Sequence, residues 1–307
     1  MNKAVVKIEK LDKCYSQTFA LKNVSFAIEQ GRIYGLIGQN GAGKTTLLRI
    51  LTGLAFPSSG EMELFGASGQ KELEKARKRI GCMIEHSGMY PNFTARENLA
   101  LQKTLMGIEN QGVVERVLTS VGLEGTGKKK FKDFSMGMKQ RLGIAAALLS
   151  DPEMLILDEP LNGLDPMGIV EVREMLIRLN KERNLTILIS SHILSELFML
   201  ASDYIIIHQG KIMDRLTQKE LADKCKKHVM IETNNIEQAE SVLKNRLVTE
   251  KYSVISDSKI KLIDPSSDRK ELARAFYDSG VLITELSYAE ETLESYFIQS
   301  IGGEKSA

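Results

Sequence analysis

Residues 38–45 read Gly-Gln-Asn-Gly-Ala-Gly-Lys-Thr, and this stretch decides the fold. It fits the pattern G-x-x-x-x-G-K-[ST], and it lies between the apolar run IYGLIG and the helical pattern KTTLLRILTGL. This order predicts a glycine-rich loop whose backbone N–H groups converge on phosphate oxygens at a helix N-terminus. An ordinary glycine-rich turn would explain the glycines, but it would not require lysine and threonine at the end of the pattern.

The residue types in this loop match the parts of a nucleotide. Lys44 provides a mobile cation for the β- and γ-phosphates of ATP, and the hydroxyl group of Thr45 is a ligand for Mg²⁺. We therefore predict a site for ATP and Mg²⁺. The predicted nucleotide-contacting residues of this stretch are Gly38, Asn40, Gly41, Ala42, Gly43, Lys44, Thr45 and Thr46.

On both sides of the loop, the pattern predicts an α/β fold. The short apolar runs IYGLIG, MLIL, TILISS and YIIIH alternate with helical segments, as expected for strands of a parallel sheet with helices on both faces. Alternating apolar positions within residues 1–30 predict antiparallel strands in addition. Residues from about 91 to 150 are mainly helical, which indicates a helical insertion in a domain over residues 1–222.

Residues 223–307 have a different pattern. Periodicity predicts a strand, a helix, a strand or strand pair, a helix and a strand, which together form a small α+β domain of ferredoxin-like type. A closing helix is expected in TLESYFIQSIGG, at residues 292–303. We find no acid–base pair, metal-ligand set or glycine-rich loop in this part of the sequence, so we expect a regulatory or dimer-stabilising role.

Composition argues against several classes of function. The chain has 41 basic and 40 acidic residues, so there is no electrostatic case for a nucleic-acid partner. Its three cysteines lie too far apart for a zinc or redox pair and are typical of a reducing compartment. Neither a signal peptide nor a long apolar run occurs, so we expect a cytoplasmic protein that docks on a membrane protein.

A pair of carboxylates follows another predicted strand, in the stretch Met154–Pro160, which reads MLILDEP. The strand delivers Asp158 to its tip, where the carboxylate can hold Mg²⁺ through water. Glu159 follows directly and can polarise the water that attacks the γ-phosphate. An isolated acidic pair at a strand end is often only a loop, but a phosphate loop in the same chain favours a catalytic site.

With these motifs, the sequence resembles the nucleotide-binding subunit of an ABC transporter, a P-loop ABC ATPase cassette. The stretch DFSMGMKQR resembles the family's signature motif, usually L-S-G-G-Q: Ser135 and Gly137 match, whereas Met136 and Met138 depart from it. The motif precedes a helix, so Ser135 and the following backbone amides form a second anion site. The resemblance implies that the signature of one subunit covers the ATP bound by another, in a head-to-tail dimer with a second copy of the chain.

Three further assignments rest on this resemblance. Residues Gly163–Asp165 resemble the loop that crosses the dimer interface, and His192 resembles the histidine that senses the γ-phosphate. Tyr15 matches the aromatic residue that stacks on adenine, although a half-buried strand tyrosine is the alternative. For His192, the alternative is an ordinary loop residue at a strand end.

Glu85, in the stretch CMIEHSGMY, lies where the family has a glutamine that touches Mg²⁺ and the attacking water. The resemblance places this loop beside the groove where the membrane subunit docks. A glutamate here is similar to the bacitracin-resistance and lantibiotic-immunity subgroup, as are GMYPNFTARENL, SSHILSE and the tail ETLESYFIQSIGG. A carboxylate repels the γ-phosphate unless Mg²⁺ lies between them, so we expect Glu85 to contact metal or water.

The resemblance therefore implies an ATP-hydrolysing subunit that energises efflux or membrane clearance of a peptide antibiotic. Its partner would be a separately encoded transmembrane permease, at the cytoplasmic face of the cell membrane. A drug, an ion or a lipid as cargo remains an alternative. A non-transport ABC ATPase fits less well, because ribosome-acting members usually carry two cassettes in tandem, and chromosome-organising members insert long coiled coils.

Overall fold

The computed structural model describes residues 3–85, 88–224, 227–246, 252–263, 269–290 and 296–298. The chain divides into two compact units, Met1–Gln218 and Lys219–Ala307. This division falls a few residues before the boundary at 222 and 223 that the sequence pattern predicts.

The first unit contains two sheets. Its strands are β1 (Ala4–Tyr15), β2 (Thr18–Glu29), β3 (Ile33–Ile37), β4 (Ser59–Leu64), β5 (Ile80–Met83), β6 (Met154–Leu157), β7 (Thr186–Ser191), β8 (Asp203–His208) and β9 (Lys211–Thr217). The larger sheet has the order β5-β6-β7-β3-β8-β9, and all its pairs are parallel except β8 with β9. The smaller sheet has the antiparallel order β2-β1-β4. The α/β fold with a mixed core sheet and antiparallel N-terminal strands is thereby confirmed.

Helices connect and cover these strands. They are α1 (Lys44–Thr52), α2 (Gln70–Arg77), α3 (Ala95–Leu105), α4 (Val113–Ser120), α5 (Met136–Ala147), α6 (Pro166–Arg183) and α7 (Leu194–Leu200). A further helix, α8 (Gln218–Lys224), begins at the last residue of this unit. Between β5 and β6 the chain forms α3, α4 and α5, in the region of the predicted helical insertion. Thr94 begins α3 with a capping box, in which its hydroxyl group accepts from the Glu97 N–H and the Glu97 carboxylate accepts from the Thr94 N–H.

Burial explains why the central strands are almost wholly apolar. Every residue of β3, β6 and β7 is buried. Helices on both faces remove such strands from water, and each strand therefore reads as a continuous apolar run instead of an alternating one. Polar residues appear where these strands end, and parallel strands bring those ends to one edge of the sheet.

The second unit is a small α+β domain. Its elements are β10 (Lys227–Thr233), α9 (Ile236–Asn245), β11 (Tyr252–Ser256), β12 (Lys259–Ile263), α10 (Arg269–Tyr277) and β13 (Ile283–Glu290). The antiparallel sheet has the order β11-β12-β10-β13, which is the βαββαβ arrangement expected from the sequence. Buried apolar residues of both helices and of β10 and β12 form its core, and partly buried residues of β11 and β13 pack against it. Most of the closing helix expected at residues 292–303 lies outside the described residues.

No helix in the described part of the chain is long and apolar enough to cross a membrane.

Candidate functional site

The predicted phosphate loop connects β3 to α1 and has a conformation that requires glycine. Gly41 and Gly43 have φ values of 80° and 109°, in the left-handed region that side chains disfavour. A Cβ on Gly43 would lie 2.7 Å from the carbonyl oxygen of Ala20, and one on Gly38 would lie 2.6 Å from that of Ile207. The loop is therefore packed backbone to backbone against its neighbours, with no room for larger residues at these two positions.

Lys44 begins α1 and has a buried side chain. Its ammonium group donates to the carbonyl oxygens of Gly38 and Gln39, at 2.6 and 3.4 Å. It also lies 3.2 Å from Oε1 of Glu159. The loop thus curls around its own lysine, so that one cation lies at the centre of the backbone cradle. Asn40 and Gly41 are exposed beside it, Ala42 is buried, and Thr46 lies in the first turn of α1.

A chain of hydroxyl–carboxylate contacts joins α1 to two strand ends. The Thr45 hydroxyl group donates to Oδ2 of Asp158 at 2.8 Å, and the Ser190 hydroxyl group donates to Oδ1 at 2.6 Å. The Ser190 oxygen also accepts from the backbone N–H of Glu159 at 2.8 Å. Because Asp158 and Ser190 are buried, these contacts fix both carboxylate oxygens in direction.

Glu159 is held between a lysine and a histidine. Its Oε2 lies 2.8 Å from Nδ1 of His192, and its Oε1 faces Lys44. An ionised carboxylate is only an acceptor, so Nδ1 carries the proton in this contact. The backbone of Glu159 has a φ of 48°, a left-handed value that costs free energy in a residue other than glycine. The fold therefore tolerates local strain to aim this side chain.

The other residues assigned through the family resemblance lie on separate elements of the first unit. Tyr15 ends β1 and is 47% exposed, and the ammonium group of Lys13 lies 4.7 Å from the centroid of its ring. Ser135 is the N-cap of α5, where its oxygen accepts from the N–H of Met138 at 3.3 Å, and Gly137 lies in the first turn. Among the described residues, no hydrogen bond joins Ser135 to the phosphate loop.

The loop before α6 is shaped by a turn and a cap. Gly163 has a φ of 75°, and Asp165 is the N-cap of the helix, where its carboxylate accepts from the N–H of Gly168 at 2.9 Å. A Cβ on Gly163 would lie 3.8 Å from Cε of Met136, so this loop runs beside the start of α5. The predicted interface loop and the signature motif are thus neighbours within one chain.

Glu85 follows β5 with a φ of 64°, and its carboxylate contacts the guanidinium group of Arg49 in α1. The sequence predicts a contact of this carboxylate with metal or water, and the structure adds the guanidinium group of Arg49 as a partner. His86 and Ser87, which follow it, lie outside the described residues.

Two residues of the site were missed by the sequence analysis. Ser190 orients Asp158, and Arg49 contacts Glu85. The polar ending of the run TILISS was a weak signal for the first of these. Arg49 lies inside an amphipathic helix pattern, where an arginine usually marks a solvated face.

Together, the fold and the loop define a P-loop nucleotide-binding cassette. The sequence model of the family described as "ABC transporter" matches residues 21–162. The bacitracin transport ATP-binding protein BcrA of Bacillus licheniformis is 40% identical over 97% of this chain and 98% of its own length. The chain belongs to the ABC transporter family, as one of its ATP-binding and ATP-hydrolysing cassettes.

Two further relatives agree with this assignment. The lantibiotic transport ATP-binding protein SrtF of Streptococcus pyogenes is 44% identical over 68% of this chain and 89% of its own length. A dimeric ATP-binding cassette solved in a post-hydrolysis state with ADP and Pi superposes with a TM-score of 0.62 and 26% identity. That match covers 69% of this chain and 98% of the solved chain.

Proposed function

We propose that this chain is the ATPase subunit of an ABC exporter that removes a peptide antibiotic from the cell or its membrane. The observation that carries the enzymatic part is the cluster around Glu159, in which this carboxylate contacts the phosphate-loop lysine and a histidine. The proposed base thus lies within hydrogen-bond distance of both a cation and a proposed sensor of charge. That cluster suits an attack by water on a bound phosphoryl group.

In hydrolysis, water attacks the γ-phosphorus of ATP, the bond to the β,γ-bridging oxygen breaks, and ADP and inorganic phosphate form. Glu159 orients the water and takes up its proton. Lys44 and the loop N–H groups compensate the charge of the phosphates. His192 holds the Glu159 carboxylate, and with both ring nitrogens protonated it can also donate to the γ-phosphate.

The oxygen donors of the site fit Mg²⁺. A metal site built entirely from protein ligands needs several such side chains close together. In the described residues, no group of three or more His, Cys, Asp or Glu side chains could hold a metal. Mg²⁺ is usually held by one or two protein oxygens and completes its octahedron with phosphate oxygens and water. Thr45 and Asp158, already joined by a hydrogen bond, are the residues that we assign to it, with Glu85 at the edge of the site. Held by these residues, Mg²⁺ would supply positive charge to compensate the negative charge of the phosphates.

We also propose a head-to-tail dimer of two copies. Ser135 and Gly137 at the start of α5 would contact the nucleotide of the other copy, because the N-terminus of this helix can bind an anion. The similar cassette that is dimeric with ADP and Pi bound supports the formation of a dimer. Tyr15 would stack on adenine, since its ring is exposed at the end of β1.

A separately encoded permease would hold the chain at the cytoplasmic face of the membrane. A groove of about 350 Å³ beside Glu85 is a candidate docking surface, and its lining includes Leu54, Met83, Ile84, Gly88 and Met106. Leu54 and Met106 expose 65% and 51% of their surface, so this groove presents apolar area to a partner.

The cargo is assigned from the relatives. BcrA matches the chain through both units, whereas SrtF matches about two thirds of it. We therefore favour a peptide antibiotic of the bacitracin or lantibiotic type over a drug, an ion or a lipid. A regulatory or dimer-stabilising role is our proposal for the second unit.

The experiment is to purify the full chain with its native membrane complex and to measure ATP hydrolysis and cell survival under peptide antibiotics. We expect a permease to copurify, and we expect loss of protection when Glu159→Gln replaces the wild-type chain. Full protection by that variant would contradict the enzymatic role. Protection against an unrelated drug class alone would contradict the proposed cargo.

A further inference from the structure

One face of α1 makes two parallel contacts with the edge of the core sheet. Thr45 and Arg49 are separated by four residues and therefore lie on the same side of the helix. Thr45 contacts Asp158 at the end of β6, and Arg49 contacts Glu85 just beyond the end of β5. These strands are neighbours, with Met83 opposite Leu157.

A backbone contact ties the two strand ends together. The N–H of Asp158 donates to the carbonyl oxygen of Met83 at 2.9 Å. The carboxylate that we assign to Mg²⁺ and the segment that carries Glu85 are thus joined directly. Three contacts therefore connect α1 with the ends of β5 and β6: Arg49 with Glu85, Met83 with Asp158, and Asp158 with Thr45.

The same helix also leads to the apolar groove. α1 ends at Gly53, and Leu54 then lines the groove together with Met83 and Ile84, the residues that precede Glu85. Arg49 therefore lies between the nucleotide side of α1 and the surface that we assign to the membrane partner.

We propose that Arg49 is a positioning residue for Glu85: its guanidinium group fixes the direction of the carboxylate at the rim of the nucleotide site. Glu85 follows the end of a strand with a left-handed backbone, and its side chain is 58% exposed. Because little packing surrounds such a side chain, the contact with Arg49 is what sets its direction. The guanidinium group also compensates the negative charge of Glu85. Without this compensation, the carboxylate would repel the phosphates of bound ATP.

This inference rests on the proposed ATPase site and assigns a new residue to it. Arg49 lies one turn beyond the phosphate loop, so it is not part of the backbone cradle. Its loss should lower turnover and raise the Mg²⁺ concentration needed for half-maximal rate, while ATP affinity stays unchanged. A direct phosphate ligand would instead lower ATP affinity.

The test is a double-mutant cycle in the full chain, with Arg49→Gln, Glu85→Ala and the double variant. We expect each single change to lower kcat about five- to tenfold, and the double variant to be no slower than the slower single variant. Arg49→Lys keeps the positive charge but lacks the planar guanidinium group with its several N–H donors. Its kcat should lie between those of Arg49→Gln and wild type. The matched control is Lys75→Gln, which breaks an exposed ion pair with Glu72 on α2.

The outcomes separate the inference from the function on which it rests. Effects that multiply in the double variant, a wild-type rate in Arg49→Gln, or a loss of ATP binding would each overturn the role of Arg49. A wild-type chain without ATPase activity would contradict the proposed function itself, and the inference with it. Thermal unfolding of each variant separates a failure to fold from a change in turnover.

Discussion

Lys44 and Glu159 form an ion pair in the centre of the site, with Nζ 3.2 Å from Oε1 and both side chains largely buried. In our assignment, the lysine binds phosphate and the glutamate activates water. Because this assignment gives one ammonium group two anionic partners, we expect a bound γ-phosphate to compete with Glu159 for Lys44. Binding of ATP should therefore change the contacts of the residue that acts on the water.

Glu159→Gln should stop turnover and strengthen ATP binding. The amide keeps the shape of the side chain but is a poor base, so we expect kcat to fall at least about 100-fold. The loss of negative charge beside Lys44 removes a competitor of the phosphate. Single-turnover hydrolysis and equilibrium ATP binding measure the two effects, and size-exclusion chromatography should show an ATP-trapped dimer. Normal steady-state turnover would show that another residue is the base.

Lys44→Ala should act on binding instead. The variant removes a charge-assisted contact worth about 1.5–3 kcal/mol, so ATP affinity should fall at least about tenfold. It also leaves the Glu159 carboxylate without its cation. Titration with a fluorescent ATP analogue measures the loss, with Lys75→Ala on α2 as a control for removal of one positive charge. Equal affinities in the two variants would contradict the phosphate-binding role.

Ser190→Ala should impair both stability and turnover. The serine oxygen accepts from the Glu159 N–H, and its hydroxyl group donates to Asp158, so the variant removes the acceptor of that N–H and leaves Asp158 with the Thr45 contact alone. We expect the free energy of unfolding to fall by about 1–3 kcal/mol. Urea denaturation and ATPase assays measure the effects. Ser120→Ala, which removes a hydroxyl group bonded within its own helix, is the control and should be nearly neutral.

The stability of the core sheet should depend on pH through Arg79 and Glu153. Arg79 precedes β5, and Glu153 precedes β6. They form a bidentate ion pair, with Nε 2.6 Å from Oε1 and Nη2 2.7 Å from Oε2, and these hydrogen bonds lower the pKa of Glu153 below its ordinary value. A lowered pKa means that the stabilisation is present above the ordinary pKa and is lost as the pH falls through the folded value.

For this half-exposed pair, Glu153→Gln should cost at most about 1 kcal/mol at pH 7, and the difference from wild type should shrink towards pH 3. Urea denaturation at several pH values measures this. A difference that grows on acidification would contradict the sign of the shift.

The predictability of the site depends on whether its residues are contiguous in sequence. The phosphate loop and the pair Asp158 and Glu159 are local patterns, so the sequence predicts them together with the strands before them. Ser190 and Arg49 act through Asp158 and Glu85, which are far from them along the chain. These contacts form only because the fold brings the ends of β5, β6 and β7 and helix α1 together.

The strands and helices were likewise predictable only where the local sequence carries a clear pattern. The apolar runs of the core strands were recognised because burial on both faces leaves a continuous pattern. β4 and β9 were not predicted, because few of their residues are buried and neither strand therefore reads as an apolar run. In the second unit, the periodicity predicted the order of strands and helices but left open whether one strand or a strand pair lies in the middle, where the structure has β11 and β12.

Removal of the second unit should leave a folded cassette. All the assigned nucleotide residues lie in the unit Met1–Gln218, which has its own core. A chain truncated after Gln218 should unfold cooperatively and bind ATP with an affinity within about threefold of wild type, because the retained unit contains every assigned nucleotide residue. Differential scanning calorimetry and ATP titration measure this. Loss of cooperative unfolding would show that the second unit is required for the fold of the first.

Glu85→Gln and Glu85→Ala should differ from each other. The glutamine side chain still presents an oxygen to Arg49, to Mg²⁺ or to water, although it lacks the charge, so the isolated chain should keep much of its ATPase activity. Protection of cells should nevertheless change, because the segment after β5 lines the groove assigned to the permease. Alanine offers no oxygen and leaves Arg49 without its partner, so both the ATPase rate and the protection should fall. ATPase assays on the purified variants, paired with survival under antibiotic, test this directly. If alanine behaves like wild type in both assays, Glu85 is an ordinary residue at the end of a strand.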